Sequence, residues 1–256
     1  MDIFATTAQL PGLSVKLALE TLHKGVTEGV WGVLKTKHIQ ICPQTFGVVT
    51  DDLAYELANK YSQTQLRLHA NARVLPKHVH WDVSTFSNDT KHYYEQLFTR
   101  QKIFKAPWMS IHAGYRQNCT FSQWLSNVHA LRQLAQTYGT DVCVEGLYPL
   151  SAKPQYIDSF KEYAFLMKHD IPFAVDLSHL NIVAKKEGWD MSLVEELVSS
   201  PLCQEIHVSD NDGTRDSHAL MKKIPVWGHL LSKKHPNAVV FSEGCLLSKK
   251  LGIKTF

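Results

Sequence analysis

The 256-residue chain is 44% hydrophobic and 20% charged with a net charge of +3, a balance that fits one globular domain and speaks against a general nucleic-acid binder, whose basic residues would cluster. Its paired lysines (Lys185-Lys186, Lys222-Lys223, Lys233-Lys234, Lys249-Lys250) are scattered along the chain. Five cysteines, an odd number with no CxxC pair, argue against a disulfide framework, while a start without a basic and then apolar leader and the lack of a membrane-length apolar run give the expectation of a cytoplasmic protein with no membrane partner.

In chain order, short strand-like runs alternate with polar loops and helical patterns. Strand one is expected at Ile3–Thr7, before a helix over Ser14–Lys24. Strand two is His38–Cys42, ended by Pro43, with its helix at Asp51–Tyr61 and Thr50 or Asp51 as N-cap. Strand three is Gln65–His69; a long polar connection then leads to a helix over Thr90–Lys105. Strand four is Met109–His112. The next helix, Thr120–Tyr138, has apolar residues at Phe121, Trp124, Leu125, Val128, Leu131 and Ala135, a period near 3.6, and stops at Gly139. Strand five is Asp141–Glu145 with a helix at Gln155–His169, and strand six is Phe173–Asp176 with a helix at Met191–Ser199 halted before Pro201. Strand seven is Glu205–Ser209, a helix follows around Pro225–Lys234, and strand eight is Ala238–Ser242. Such alternation implies βαβ units and a parallel sheet. Eight of them predict an α/β fold, a (β/α)8 TIM barrel occupying residues 1–256 as a single domain. The few residues after strand eight leave little length for a full closing helix, so the barrel is trimmed there or covered by another chain.

In this architecture the C-terminal rim carries the chemistry. The strands end on, or just before, His69, His112, Glu145, Asp176 with His179 three residues on, His207 and Glu243. The loop after strand seven, Ser209-Asp210-Asn211-Asp212-Gly213-Thr214-Arg215-Asp216-Ser217-His218, adds Asp216 and His218. Any single strand-end histidine is ordinarily a satisfied hydrogen-bonding residue. Nine imidazoles and carboxylates in register are costly to pack together unless cations compensate them. Oxygen and imidazole donors without thiolate suit Zn, Mn, Co or Fe, and the number of donors exceeds the needs of one ion, so one to three divalent ions per chain are expected.

This pattern, from strand three to strand eight, resembles the xylose isomerase-like TIM-barrel superfamily, which includes endonuclease IV-type (AP endonuclease family 2) proteins and sugar-phosphate isomerases and epimerases. The endonuclease-type members imply a trinuclear zinc site at His69, His112, Glu145, Asp176, His179, His207, Asp216, His218 and Glu243. The isomerase branch implies one divalent ion, Mg among the candidates, held by Glu145, Asp176, His207 and Glu243, and its strand-seven loop is especially similar to His207–His218. In place of the Pro-Gly-x-Gly that follows this loop in epimerase-like members, the chain reads Met221-Lys222-Lys223-Ile224-Pro225. The loop after strand two, Pro43-Gln44-Thr45-Phe46-Gly47, is short and lacks the arginine with which the endonuclease branch engages DNA.

Three activities follow from these expectations. The first is an isomerase or epimerase acting on a small sugar, sugar phosphate or polyol-derived ketone through an enediolate, with Glu145 and Glu243 as general acid and base and His179 binding or orienting the substrate. The second is multinuclear phosphodiester hydrolysis, which would make nucleic acid the partner, and the third is oxidation at two or three non-haem irons. The strand-seven loop and the unremarkable charge favour the first, with a small molecule as the partner; a homo-oligomer is left open. Arg215, Arg73 and Arg116 are candidates for an anionic substrate group, against the plain alternative of surface charge or local ion pairs. Trp81, with Phe4, Phe46, Tyr115 and Tyr148, is a candidate pocket wall. Cys42 sits beside the site and reads as an inert buried thiol, and His78 and His80 lie in the connection after strand three, which could fold over the mouth.

Overall fold

A computed structural model describes residues 1–149 and 153–246. Eight parallel strands form a nearly closed barrel: β1 (Phe4–Thr6), β2 (Lys35–Ile41), β3 (Gln65–Leu68), β4 (Trp108–His112), β5 (Asp141–Glu145), β6 (Phe173–Asp176), β7 (Cys203–Val208) and β8 (Val239–Ser242). Hydrogen-bonded pairing runs from β3 through β2, β1, β8, β7, β6 and β5 to β4. Val, Ile, Leu and Phe dominate the strands and are almost wholly buried, as expected where helices cover the outside of a parallel sheet.

The one seam without strand pairing lies between β3 and β4. There the buried carboxamide of Gln101 stands in for the ladder, accepting from the Leu68 N–H at 2.7 Å and donating to the Trp108 carbonyl at 2.9 Å. Backbone groups that would otherwise be buried without partners are thereby satisfied.

The helices are α1 (Val15–His23), α2 (Asp51–Lys60), α3 (Lys91–Ile103), α4 (Phe121–Thr137), α5 (Phe160–Lys168), α6 (Leu177–Glu187) and α7 (Met191–Ser199). Side chains of Ser14, Thr50, Thr120 and Asp190 cap four of them by accepting from a backbone N–H three residues on. Among the described residues no helix is long and apolar enough to cross a membrane.

Beyond shifts at element ends, such as α5 starting at Phe160 and not at Gln155, the structure departs from the sequence expectation in three places. Helix α6 lies where no helix is expected, because it starts on the last residue of β6 with no loop. Asp176 ends the strand and at once caps the helix, accepting from Ser178 N at 2.7 Å and His179 N at 3.1 Å. The Pro225–Lys234 helix is shorter and is a 3-10 turn over Gly228–Lys233. A small antiparallel ribbon, Thr27–Glu28 with Gly32–Val33, precedes β2. It carries a buried carboxylate, Glu28, to the end of β8, where Glu28 accepts from Gln9 Nε2 at 2.8 Å and from the Ser242 hydroxyl. The expected truncation after strand eight concerns residues that mostly lie outside the described ones.

Candidate metal centre

All nine residues expected at the rim converge. His69 follows β3, His112 ends β4, Glu145 ends β5, Asp176 ends β6, His179 sits in the first turn of α6, His207 lies within β7 and Glu243 follows β8. The remaining two come from the β7 loop. That loop is closed by a two-way backbone pair between Asp210 and Ala219 at 2.8 and 2.9 Å, which curls Asp216 and His218 back over the barrel. His218 pays for its placement with a left-handed backbone, φ 43°, a conformation that costs a non-glycine residue about 1–3 kcal/mol and is concentrated at functional sites.

Glu145 is the hub. Its Oε2 lies 3.0 Å from His69 Nε2 and 3.8 Å from His112 Nε2, and its Oε1 is 3.3 Å from His207 Nδ1. Glu243 reaches both His69 and His207 at 3.9 Å and His218 Nδ1 at 3.6 Å. Asp216 sits between His218 Nε2 at 2.8 Å and His179 Nε2 at 3.4 Å, and Asp176 is 3.3 Å from His179 Nε2. Three overlapping sets bring ligand atoms within 4.8 Å of one another: His69–His112–Glu145, His69–His207–Glu243 and Glu145–Asp176–His179.

The electrostatics are those of a crowded carboxylate–imidazole cluster. Burial opposes every charge here, yet neighbours outweigh it at most positions. Burial alone would lower His179, but Asp176 and Asp216 lift it to about 10. His218 is likewise lowered by burial and lifted by Asp216 to about 10. Burial raises Glu145, while His207, His69 and His112 together hold it well below the usual carboxylate range. At His112 burial wins and its imidazole falls to about 4. In the metal-free protein the carboxylates therefore hold protons on imidazoles, which must leave if those nitrogens are to become ligands.

The donor set fits a divalent cation. His207 Nδ1 and Asp216 Oδ1 are buried in the cluster without hydrogen-bond partners, a costly arrangement for polar atoms that an ion would resolve. His69 and His179 each have Nδ1 against a backbone carbonyl, Ala70 O and Gly146 O, both at 3.0 Å, which turns Nε2 inward. Outer partners of this kind fix the tautomer of metal-binding histidines.

Above the cluster opens a cavity of about 310 Å³. Seven of the nine residues line it, while Asp176 and His207 lie just beneath, nearly or fully buried. Tyr115 and Tyr148 form part of its wall, as expected. Arg73, Arg116, Arg215 and Trp81 do not line it. The Arg116 guanidinium pairs with Glu162 and with Asp158 at 3.6 Å and lies over the Tyr156 ring. Arg215 is exposed, Arg73 is half-buried with its Nε unpartnered, and Trp81 packs edge-on against Tyr93. Phe4 packs against His38, and Phe46 is exposed. The Cys42 thiol is pushed well up by burial, which leaves it unreactive.

Two groups of residues were not singled out from the sequence. Asn71, Asp82, Gln44 and Gln155 join the cavity wall, beside His80 from the connection that was expected to reach the mouth; Asp82 is tied at 2.5 Å to Ser84, whose hydroxyl also accepts from Tyr115 N. One side-chain layer below the rim lie Gln40, Arg67 and Glu205, all fully or almost fully buried. Arg67 Nη1 pairs with Glu205 Oε1 at 2.8 Å, and Gln40 donates to Glu205 Oε2 at 2.8 Å. The available signal was alternation: Gln40-x-Cys42, Arg67-x-His69 and Glu205-x-His207 each put two residues on one face of a strand.

No family model matches the chain, and no curated protein matches its sequence. Solved structures do match it in fold. A D-tagatose 3-epimerase-like protein aligns with a TM-score of 0.68 at 14% identity, over 96% of this chain and 91% of its own. A xylose isomerase domain-containing protein from Salmonella typhimurium LT2 aligns at 0.64 and 15% identity, over 97% and 92%. The IOLI protein, solved with a zinc atom, aligns at 0.61 and 12% identity, over 96% and 89%. At these identities the likeness establishes the fold, an α/β barrel shared with these proteins over nearly the whole chain.

Proposed function

We propose that the chain is a divalent-metal-dependent isomerase or epimerase acting on a small polyhydroxylated carbonyl compound. The observation that carries this reading is the pair Glu145 and Glu243, which approach the same histidines, His69 and His207, from separate strands of the barrel under one cavity. Glu145, Asp176, His207 and Glu243 would hold the ion, which when bound supplies Lewis-acid stabilisation of an enediolate. One glutamate removes the proton beside the substrate carbonyl and the other returns a proton. His179, whose ring is fixed by Gly146 O, faces the cavity and orients a substrate hydroxyl. Asn71, Gln44, Gln155, Tyr115 and Tyr148 offer the amide and phenol groups that sugar hydroxyls require. The fold neighbours, among them a D-tagatose 3-epimerase-like protein and a xylose isomerase domain-containing protein, support this reading.

One observation favours a second reading, phosphodiester hydrolysis. All nine rim residues converge, and their three ligand sets overlap at His69 and Glu145, which suits more than one ion. The discriminating experiment incubates metal-loaded protein with ketoses and inososes in D2O and, separately, with a chromogenic phosphodiester. Deuterium appearing at the carbon beside the carbonyl, and disappearing with Glu145→Gln or Glu243→Gln, is the expected result. Ester cleavage without exchange would replace the isomerase reading with the hydrolase one.

A further inference from the structure

His207 differs from the other inward-facing histidines in how it is anchored. His69 and His179 each place Nδ1 on a backbone carbonyl, because they lie just past a strand and in a helix's first turn, near carbonyls outside the sheet ladder. His207 lies within β7, paired on both sides, opposite Asp176 of β6 and Phe241 of β8. Backbone carbonyls there are committed to the sheet, so an acceptor must come from a side chain on the same face. Two residues earlier along a strand is that position, and Glu205 occupies it, with Oε2 3.3 Å from His207 Nε2. Both side chains are fully buried. Arg67 supplies the counter-charge to Glu205 from below at 2.8 Å, with its guanidinium over the Phe241 ring, and Gln40 braces the other carboxylate oxygen. On the opposite edge of the ring, Nδ1 points at Glu145 and Glu243 and has no hydrogen-bond partner.

We propose that Glu205 is a positioning residue that inverts His207 relative to its neighbours, accepting a hydrogen bond from Nε2–H so that Nδ1 is the nitrogen offered to the metal. Arg67 and Gln40 hold Glu205 in place for that task. The inference rests on the rim binding a divalent ion. It adds which nitrogen of His207 binds and what fixes it, and it makes the layer beneath the rim part of the metal centre.

The test is nitrogen-15 NMR of histidine-labelled protein titrated with zinc, the His207 signals being assigned by comparison with His207→Gln. The expected spectrum has zinc on Nδ1 and a proton on Nε2 for His207, and the reverse for His69 and His179. Glu205→Gln is expected to weaken zinc binding, measured by chelator competition, by about 10–100-fold, the usual cost of losing such an outer partner. Because that change leaves Arg67 without its counter-charge, the double variant Glu205→Gln/Arg67→Met, which removes both charges, is measured alongside and is expected to show the same loss. Zinc bound through Nε2 of His207, or wild-type affinity in the double variant, would overturn the proposal. A protein that takes up no zinc at all would overturn the metal reading on which it rests.

Discussion

The rim and the layer directly beneath it are both buried and ionic, yet they are built on opposite principles. In the lower layer one cation, Arg67, meets one carboxylate, Glu205, at 2.8 Å, and Gln40 donates to the second carboxylate oxygen at 2.8 Å. The charges cancel within the layer. At the rim, the only cationic partners of Glu145, Asp176, Asp216 and Glu243 among the described residues are imidazoles, which can balance them solely by holding protons. A layer whose charges cancel within it can brace its neighbours without an added ion; one that borrows protons to stay neutral is prepared for an ion of another kind.

Breaking the closed layer should have the largest effect on stability. Arg67→Met leaves Glu205 buried without its partner, and loss of one member of a buried pair costs about 3–5 kcal/mol, measurable by urea denaturation. Glu145→Gln in metal-free protein should cost less in the same assay, because His69 and His207 can release protons once the carboxylate is gone. If the two variants lose equal stability, the contrast between the layers fails. On activity the order reverses: Glu145→Gln or Glu243→Gln should reduce kcat/KM by about 10²–10⁴-fold, with the fold retained by circular dichroism. Turnover within a few fold of wild type would remove that glutamate from the mechanism.

A buried polar residue outside both layers calibrates these numbers. Gln101→Ala strips the partners from Leu68 N and the Trp108 carbonyl at the β3–β4 seam. It should cost about 1–3 kcal/mol for each buried group left unpaired, with metal affinity unchanged.

The smallest effect concerns protons. His179 and His218 are lifted to about 10 against an ordinary value of 6.5. A pKa raised on folding adds stability that is complete below the unfolded value and is lost as pH rises through the folded one, so these ion pairs stabilise metal-free protein up to neutral pH and fade toward pH 10. Metal uptake must displace the same protons, so affinity should rise with pH over that interval. Calorimetric titrations in buffers of different ionisation enthalpy should show roughly one proton released for each imidazolium that becomes a ligand. Uptake without proton release would contradict the protonation assigned to these imidazoles.

Much of this was legible in the sequence. Eight strand-like runs, several ending in His, Glu or Asp, give both the barrel and the rim, because a parallel barrel directs every strand end to one mouth. The β7 loop was legible for the same reason, carrying Asp216-x-His218 where a rim loop must be. What escaped reading is what depends on contact across the barrel. Glu205, Arg67 and Gln40 look like ordinary polar residues in strands until three separate strands bring them together. Helix α6 was hidden because Asp176 serves two elements at once, leaving no loop to announce it. The arginines are hard to read for a related reason: charge is visible in a sequence, but Glu162 and Asp158, which engage Arg116, sit beside it only in the folded chain.

The most direct test of the account is elemental analysis of protein purified anaerobically without added metal, compared with the double variant His207→Ala/Glu145→Gln. About one divalent ion or more per chain is expected in the wild type and a large loss in the variant, with the count separating one-ion isomerase chemistry from a multinuclear centre. A wild-type protein that carries no transition metal, and that binds none of zinc, manganese, cobalt or iron(II) on titration, would show that the nine converging residues form no metal centre.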